Sequence, residues 1–286
     1  MKKYAVGFIG YGNMAQAIVS GLVDKLSVCI LKDAGFKLKI AVSDPDAEKL
    51  ARVPKGVAVT SDNTLLVDSC DVIVLAVKPQ MSEEALKGLD FTGKIVISIM
   101  ASISTATIAK LTGRATDKIV RVMPNLNARI GAAYSTYCTT GLTKGEARLV
   151  ENMIFSFGDA REVDEKYMNA TTGIGGSGPA FAFMFIKAYY EAALKRGVPR
   201  AIALEMALCT IRGSVALIEE TYRTDCEHDC GNVDFDGLVK SVCSKGGTTI
   251  EGVNYLNEHN FEAVVTEAID RAVARAEEMG KANEER

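Results

Sequence analysis

Histidine is nearly absent. His228 and His259 are the only two in 286 residues, and neither stands in a loop that follows a strand pattern. No Ser-His-Asp set and no H-E-x-x-H pattern can be drawn from them, which argues against the common histidine-dependent hydrolases and zinc proteases. An excess of one charge is lacking too. Lys and Arg total 33 against 36 Asp and Glu, a net charge of -3, with no basic stripe, so neither nucleic acid nor an anionic membrane is expected as a partner. Met1-Lys2-Lys3 runs straight into a strand pattern with no apolar targeting segment. No run of about twenty apolar residues occurs either. A soluble, cytoplasmic protein is the expectation. Cysteine is present seven times, an odd number at irregular spacing, which favours reduced thiols over a disulfide framework. Cys226-Glu-His228-Asp-Cys230 gathers three candidate ligands on one short loop without a second pair, an incomplete metal site. It reads as a polar surface loop, and no metal is expected.

Against these absences, the segment Val6 to Ile18, VGFIGYGNMAQAI, stands out. A buried-strand pattern leads directly into Gly10-x-Gly12-x-x-Ala15 and then into the amphipathic run Ile18, Leu22, Leu26. Gly10 permits a tight turn, Gly12 lets backbone N–H groups approach a pyrophosphate, and Ala15 allows close packing of helix on strand. The helix N-terminus adds a partial positive charge. Ile9, Gly10, Tyr11, Gly12, Asn13, Met14 and Ala15 are therefore the candidate dinucleotide-binding residues.

Strand and helix patterns alternate through the first half. Strands are predicted at 38–43, 57–60, 72–77, 95–99 and 118–123, a short helix at 46–52, edge strands at 132–136 and 160–163, and a helix between them at 144–157. Such alternation predicts a doubly wound, mostly parallel sheet of the Rossmann type. Beyond Asp164 the strand signal fades into long helical periods, predicted at 179–197, 200–222, 248–258 and 261–279, with an irregular connector at 224–236. The expected division is a dinucleotide-binding domain over 1–163 and an all-α domain over 164–286. Phe181, Phe185, Ala188 and Ala192 share a face of the first of these helices. The second is apolar almost all round (Ala203, Met206, Ala207, Ile211, Gly213, Ala216, Leu217), so another subunit is expected to cover it.

In an open parallel sheet, ligands collect at the carboxyl ends of the strands. After the second strand stand Ser43 and Asp44. The acid is suited to the adenosine ribose, which favours NADH, or else Asp44 or Asp46 caps the next helix. Ser43 could serve a phosphate, with Lys49 and Arg52 nearby. Ala76, Val77, Lys78 and Pro79 follow the fourth strand, and Asn125 follows the strand ending at Met123. Two glycine-rich segments, Thr172 to Pro179 and Ser244 to Thr249, read as helix starts whose free N–H groups and hydroxyls cradle a carboxylate or phosphate. Gly176 and Ser177 belong to the first. With no histidine in a strand-end loop to act as acid or base, a hydride acceptor that already carries positive charge, such as a protonated imine, suits this chain.

Those segments, in their order, resemble the pyrroline-5-carboxylate reductases. The matches are GFIGYGNMAQAI, Ala76-Val77-Lys78-Pro79, Val122-Met123-Pro124-Asn125, Thr172 to Pro179 and Gly246-Gly247-Thr248-Thr249, and the likeness runs over essentially the whole chain. The resemblance implies reduction of 1-pyrroline-5-carboxylate to L-proline by NADPH or NADH, the last step of proline synthesis. It also implies a helical domain that interleaves with its twin in a dimer, assembled further into larger rings. By the same resemblance, Ala76 to Pro79 and Asn125 line the cofactor. Ser244, Gly246, Gly247, Thr248 and Thr249 hold the substrate carboxylate, and Thr249 is the catalytic candidate that orients the imine. Three positions depart from the family's pattern. Asn127 and Lys245 stand where it has proline, and Phe181 stands where it often has an aromatic hydroxyl. A related imine or beta-hydroxyacid reductase, the latter with Lys187 as its lysine, and a dinucleotide-binding sensor without turnover are the alternatives.

Overall fold

A computed structural model of the chain describes residues 2–113, 115–225 and 233–284. The Cys226 to Cys230 loop with His228 lies outside them. The chain forms two compact units. One comprises the residues up to Pro179 together with those from Ile269 onward, and the other runs from Ala180 to Ala268. The sheet ends at Glu162, beside the expected boundary at 163/164, but the first unit also takes in the next short helices and the last turns of the chain.

The first unit is built on eight strands: β1 (Lys2–Ile9), β2 (Phe36–Ser43), β3 (Ala58–Thr60), β4 (Val72–Leu75), β5 (Ile95–Ser98), β6 (Ile119–Met123), β7 (Ala133–Thr140) and β8 (Gly158–Glu162). They lie in the order β3-β2-β1-β4-β5-β6-β7-β8. All pairings are parallel except β6 with β7. Ile9 is level with Ser43 and Leu75, and Leu75 with Ser98, so the loops after β1, β2, β4 and β5 leave one common edge. The helices are α1 (Asn13–Val23), α2 (Lys25–Asp33), α3 (Ala47–Leu50), α4 (Asn63–Ser69), α5 (Ser82–Leu86), α6 (Thr105–Leu111), α7 (Lys144–Phe155) and α8 (Met168–Thr171).

Alternation along the strands supplies both faces of the sheet with core. Val6, Phe8, Val72 and Val74 face Ile18, Val19 and Leu22 of α1 and Leu149 and Ile154 of α7. Ile9, Ile73 and Leu75 face Leu66 and Val67 of α4 and Ile108 of α6. The first helix stops at Val23, so Leu26 belongs to α2 and not to the predicted amphipathic run. The predicted edge strand at 132–136 is an eight-residue strand inside the sheet, and only β8 forms that edge. Helices α4, α5 and α6 are too short for a helical period to show in the sequence.

The second unit contains most of α9 (Gly178–Lys195), α10 (Arg200–Asp225), α11 (Phe235–Ser241), α12 (Thr248–Glu258) and the start of α13 (Phe261–Glu284). Gly197, at φ +81°, ends α9 as expected, and α11 begins within the predicted connector. Phe185 meets Phe261 with ring centroids 6.3 Å apart. Ala203 and Ala207 are buried, but Phe183, Met184, Phe185, Ile202, Leu204, Leu208, Val215 and Leu217 are exposed. Arg200–Thr221 is long and apolar enough by composition to cross a membrane, with a mean hydropathy of 1.7. The sequence reading missed this because Glu205 and Arg212 interrupt the run.

Candidate active site

The turn from β1 into α1 is shaped by close approach. Gly10 sits at φ +94°, and a side chain there would begin 2.8 Å from the Ala76 carbonyl oxygen, so only glycine lets the loops after β1 and β4 touch. Its N–H donates to the Ser43 carbonyl (2.7 Å), while Ala76 N–H donates to the Ile9 carbonyl (2.9 Å). Gly12 is the reverse case. It precedes α1 with no side-chain cap on the helix start, and a side chain at Gly12 would meet nothing within 4 Å. Asn13, Met14 and Ala15 are thus the first residues of an eleven-residue helix with no side-chain cap on its start, and the free N–H groups of such a start suit a diphosphate. Tyr11 and Ala15 are buried in the core behind it.

Ser43 and Asp44 have protein partners. Asp44 is 4% exposed. It accepts from Tyr11 N–H (2.8 Å), Asp46 N–H (2.9 Å) and Lys49 Nζ (3.2 Å). Burial alone would raise its pKa, but these hydrogen bonds outweigh burial and hold it below the ordinary carboxylate value. The acid thus braces the glycine turn against the loop after β2. Asp46 caps α3, accepting from Glu48 and Lys49 N–H. The Ser43 hydroxyl is buried and donates to Asn63 Oδ1 (2.6 Å).

Val77 and Pro79 are half-buried after β4, and Lys78 is exposed. Asn125, buried after β6, donates through Nδ2 to the Gly175 carbonyl (3.1 Å). The glycine-rich segment it holds is not a helix start. Residues 168–195 run as α8, a π-helical turn Thr172–Gly176 and α9. Ser177 N–H is already bonded to the Thr172 carbonyl, so the expected free helix start at Gly176 and Ser177 is corrected to a joint within continuous helix. Side chains would begin 2.6 Å from Val273 at Gly173 and 2.7 Å from Met123 Cε at Gly176. Gly173 and Gly176 serve packing, whereas a side chain at Gly175 would meet nothing within 4 Å.

The second segment is a helix start. In the helical unit Gly246 turns at φ +69°, Gly247 precedes α12 without a side-chain cap, and Gly247 N–H closes a turn on the Ser244 carbonyl (3.0 Å). Ser244, Lys245, Thr248 and Thr249 are exposed. The Ser244 hydroxyl lies directly over Gly247, where a side chain would displace it.

Relatives with known names match along the whole chain. It is 38% identical over 277 residues to a pyrroline-5-carboxylate reductase of Aquifex aeolicus, covering 96% of this chain and 97% of that one. It is 32% identical to the Escherichia coli protein of the same name, covering 96% and 98%. The chain belongs to the pyrroline-5-carboxylate reductase family. A family model described as pyrroline-5-carboxylate reductase dimerisation matches residues 165–279, and one described as NADP oxidoreductase coenzyme F420-dependent matches 5–102. The solved Plasmodium falciparum pyrroline carboxylate reductase, with NADP bound, aligns at a TM-score of 0.81 and 26% identity over 97% of this chain and 98% of that one.

Within this reductase, the departure at 127 has a visible compensation. Asn127 N–H donates to Asn125 Oδ1 (3.1 Å), a bond a proline could not make. Asn125 is therefore fixed at both ends of its amide. Lys187 is 71% exposed and paired with Glu191 at 3.7 Å, an ordinary surface ion pair. Sequence reading overlooked a buried polar network beneath the π-helical turn. Arg121 of β6, 4% exposed, donates to Asn169 Oδ1 (2.7 Å) and to Glu165 Oε1 (3.4 Å). Glu165 in turn accepts from Thr105 N–H (2.7 Å). The signal was an arginine inside the apolar strand IVRVM, which a central strand tolerates only when the charge is paired. Beside it, burial foremost and then the nearby Glu165 push the Cys138 thiol up to about 11. It is no nucleophile at neutral pH.

Proposed function

We propose that this chain reduces 1-pyrroline-5-carboxylate to L-proline with NADPH or NADH, the final step of proline biosynthesis. The observation that carries the reading is the uncapped, unobstructed start of α1 at Gly12, in a chain whose curated relatives bear this reductase name. The nicotinamide supplies the hydride. Asn13, Met14 and Ala15 N–H groups bind the diphosphate, Ala76 to Pro79 floor the cofactor, and Asn125 holds the neighbouring loop in register. The uncapped start of α12 binds the substrate carboxylate through Ser244 and the N–H groups of Gly246, Thr248 and Thr249, with Gly247, whose own N–H closes the turn on Ser244, leaving room for that hydroxyl. The Thr249 hydroxyl orients the imine nitrogen. A protonated imine attracts hydride without a protein acid, so positioning carries most of the rate.

Within its brace Asp44 has part of its charge offset by Lys49, which it shares with Asp46. It therefore opposes a 2′-phosphate weakly, and both nicotinamides are substrates in this reading. Self-association through the helical unit, as a dimer or an oligomer of dimers, covers the apolar faces of α9 and α10 that one chain leaves open. The described cysteines Cys29, Cys70, Cys138, Cys209 and Cys243 are free thiols, which fits a reducing compartment, and we place the protein in the cytoplasm. The test is purified protein with NADPH or NADH and 1-pyrroline-5-carboxylate. Oxidation of the nicotinamide matched by proline formation is the expected result. Cofactor binding with no turnover on this or any cyclic imine would leave a sensor in its place.

A further inference from the structure

The loop after β5, residues 99–104, leaves the same sheet edge as the glycine turn. It is anchored at both ends. Ile99 N–H donates to the Leu75 carbonyl (3.1 Å), in the strand that leads to Ala76, and Ser104 caps α6 by accepting from Thr107 N–H. Its middle is unusual. Ser102 stands at φ +57°, a left-handed conformation that residues with a Cβ seldom adopt. It is 2% exposed, and its hydroxyl has no hydrogen-bond partner among the described residues. A serine kept there gains nothing visible from its own side chain, so something else must hold the backbone.

That support comes from the last turns of α13, which belong to the sheet unit. Asn283 Nδ2 donates to the Ser102 carbonyl (3.2 Å). The rest of this stretch fixes where Asn283 stands. Val273 lies against Gly173 of the π-helical turn, Ala276 is buried, and Gly280 fits against Asn169 with its Cα side turned to the Ser102 carbonyl. A side chain at Gly280 would begin 3.1 Å from Asn169 Nδ2 and 3.8 Å from the Ser102 oxygen. One helix end thus touches the π-helical turn, the partner of Arg121 and the strained loop.

We propose that Asn283 is a positioning residue: its amide holds the Ser102 loop in the left-handed shape that sets the cofactor side of the sheet edge, two strands from the glycine turn. It touches no reacting atom. The proposal rests on the cofactor-binding reading above but not on the identity of the imine. Its test uses the full chain as wild type, Asn283→Ala, Ser102→Gly and the double variant. Two readouts are taken: amide hydrogen exchange of residues 100–104 without cofactor, and the Kd for NADPH by calorimetry. Asn283→Ala is expected to speed exchange in that loop and weaken NADPH about threefold to tenfold, the reach of one hydrogen bond, with Tm little changed. Ser102→Gly removes the need for the restraint, so the double variant should return close to the wild-type Kd. Unchanged exchange and Kd in Asn283→Ala, or a double variant as weak as the single one, would overturn the proposal. A wild type that binds NADPH but turns over no imine would defeat the reductase reading and leave this test standing.

Discussion

Gly10 to Gly12 and Gly173 to Gly176 are both glycine-rich junctions ahead of a helix, yet they use glycine for opposite ends. At Gly12 the missing side chain leaves empty space in front of unpaired N–H groups. At Gly173 and Gly176 it leaves room for Val273 and Met123, and the N–H groups are spent inside a π-helical turn. The first stays open in front of a helix start, and the second is filled by the protein itself. The start of α12 sides with the first, being uncapped and carrying exposed Thr248 and Thr249. Glycine in sequence therefore announces close approach, and only the neighbours tell what approaches.

Substitution at the two junctions should separate them most sharply. Gly12→Val is expected to weaken NADPH roughly a hundredfold, near 3 kcal/mol, with Tm almost unchanged. Gly173→Val should do the reverse, costing about 3 kcal/mol of stability by overpacking against the Val273 backbone. Equal losses of Tm in both would break the distinction; paired melts and cofactor titrations read it. Next in size, Thr249→Ala should lower kcat tenfold or more while leaving the Kd for NADPH within about twofold, which steady-state kinetics and calorimetry check. An unchanged rate would remove the catalytic assignment.

A site remote from both junctions serves as the control. Lys118 and Glu146 are paired at 2.7 Å, and that hydrogen bond first, then the Thr143 cap, brings Glu146 down to about 2 against burial. Its pKa is depressed on folding, so its stabilisation is full above about pH 4.5 and is lost as pH falls towards 2. Glu146→Gln keeps an amide able to cap α7 and should cost about 1–2 kcal/mol at pH 7. The gap from wild type should close on acidification, and cofactor affinity should not move. The smallest effect is expected where glycine is absent but suited. Ser102→Gly should raise stability by about 1 kcal/mol, since it relieves a left-handed serine and deletes a buried, unpartnered hydroxyl. Chemical denaturation measures it.

The fold was legible because its strands are apolar runs separated by turn residues, and the long helices of the second unit carry a clear period. α12 falls at 248–258 as predicted. Helices α4 to α6 escaped because five to seven residues do not display a 3.6-residue repeat. At the site, the Gly10 to Ala15 turn was readable from its spacing together with the strand pattern before it and the helical run after it. Asp44 was not, since an acid after β2 looks the same whether it faces a ribose or braces Tyr11 N–H. The helical state of Thr172 to Ser177 escaped for a related reason. Its N–H groups are consumed by helical bonds to Met168 through Thr172, and a glycine run gives no local sign that the preceding residues are already helical.

The central claim is that the start of α1 binds a diphosphate and the start of α12 a small acid. Backbone amide shifts of Asn13 to Ala15 and of Gly247 to Thr249, followed by NMR while NADPH and then proline are added, test it most directly. NADPH should move the first set, and proline should move the second. Proline leaving Gly247 to Thr249 unmoved, or NADPH leaving Asn13 to Ala15 unmoved, would contradict the account.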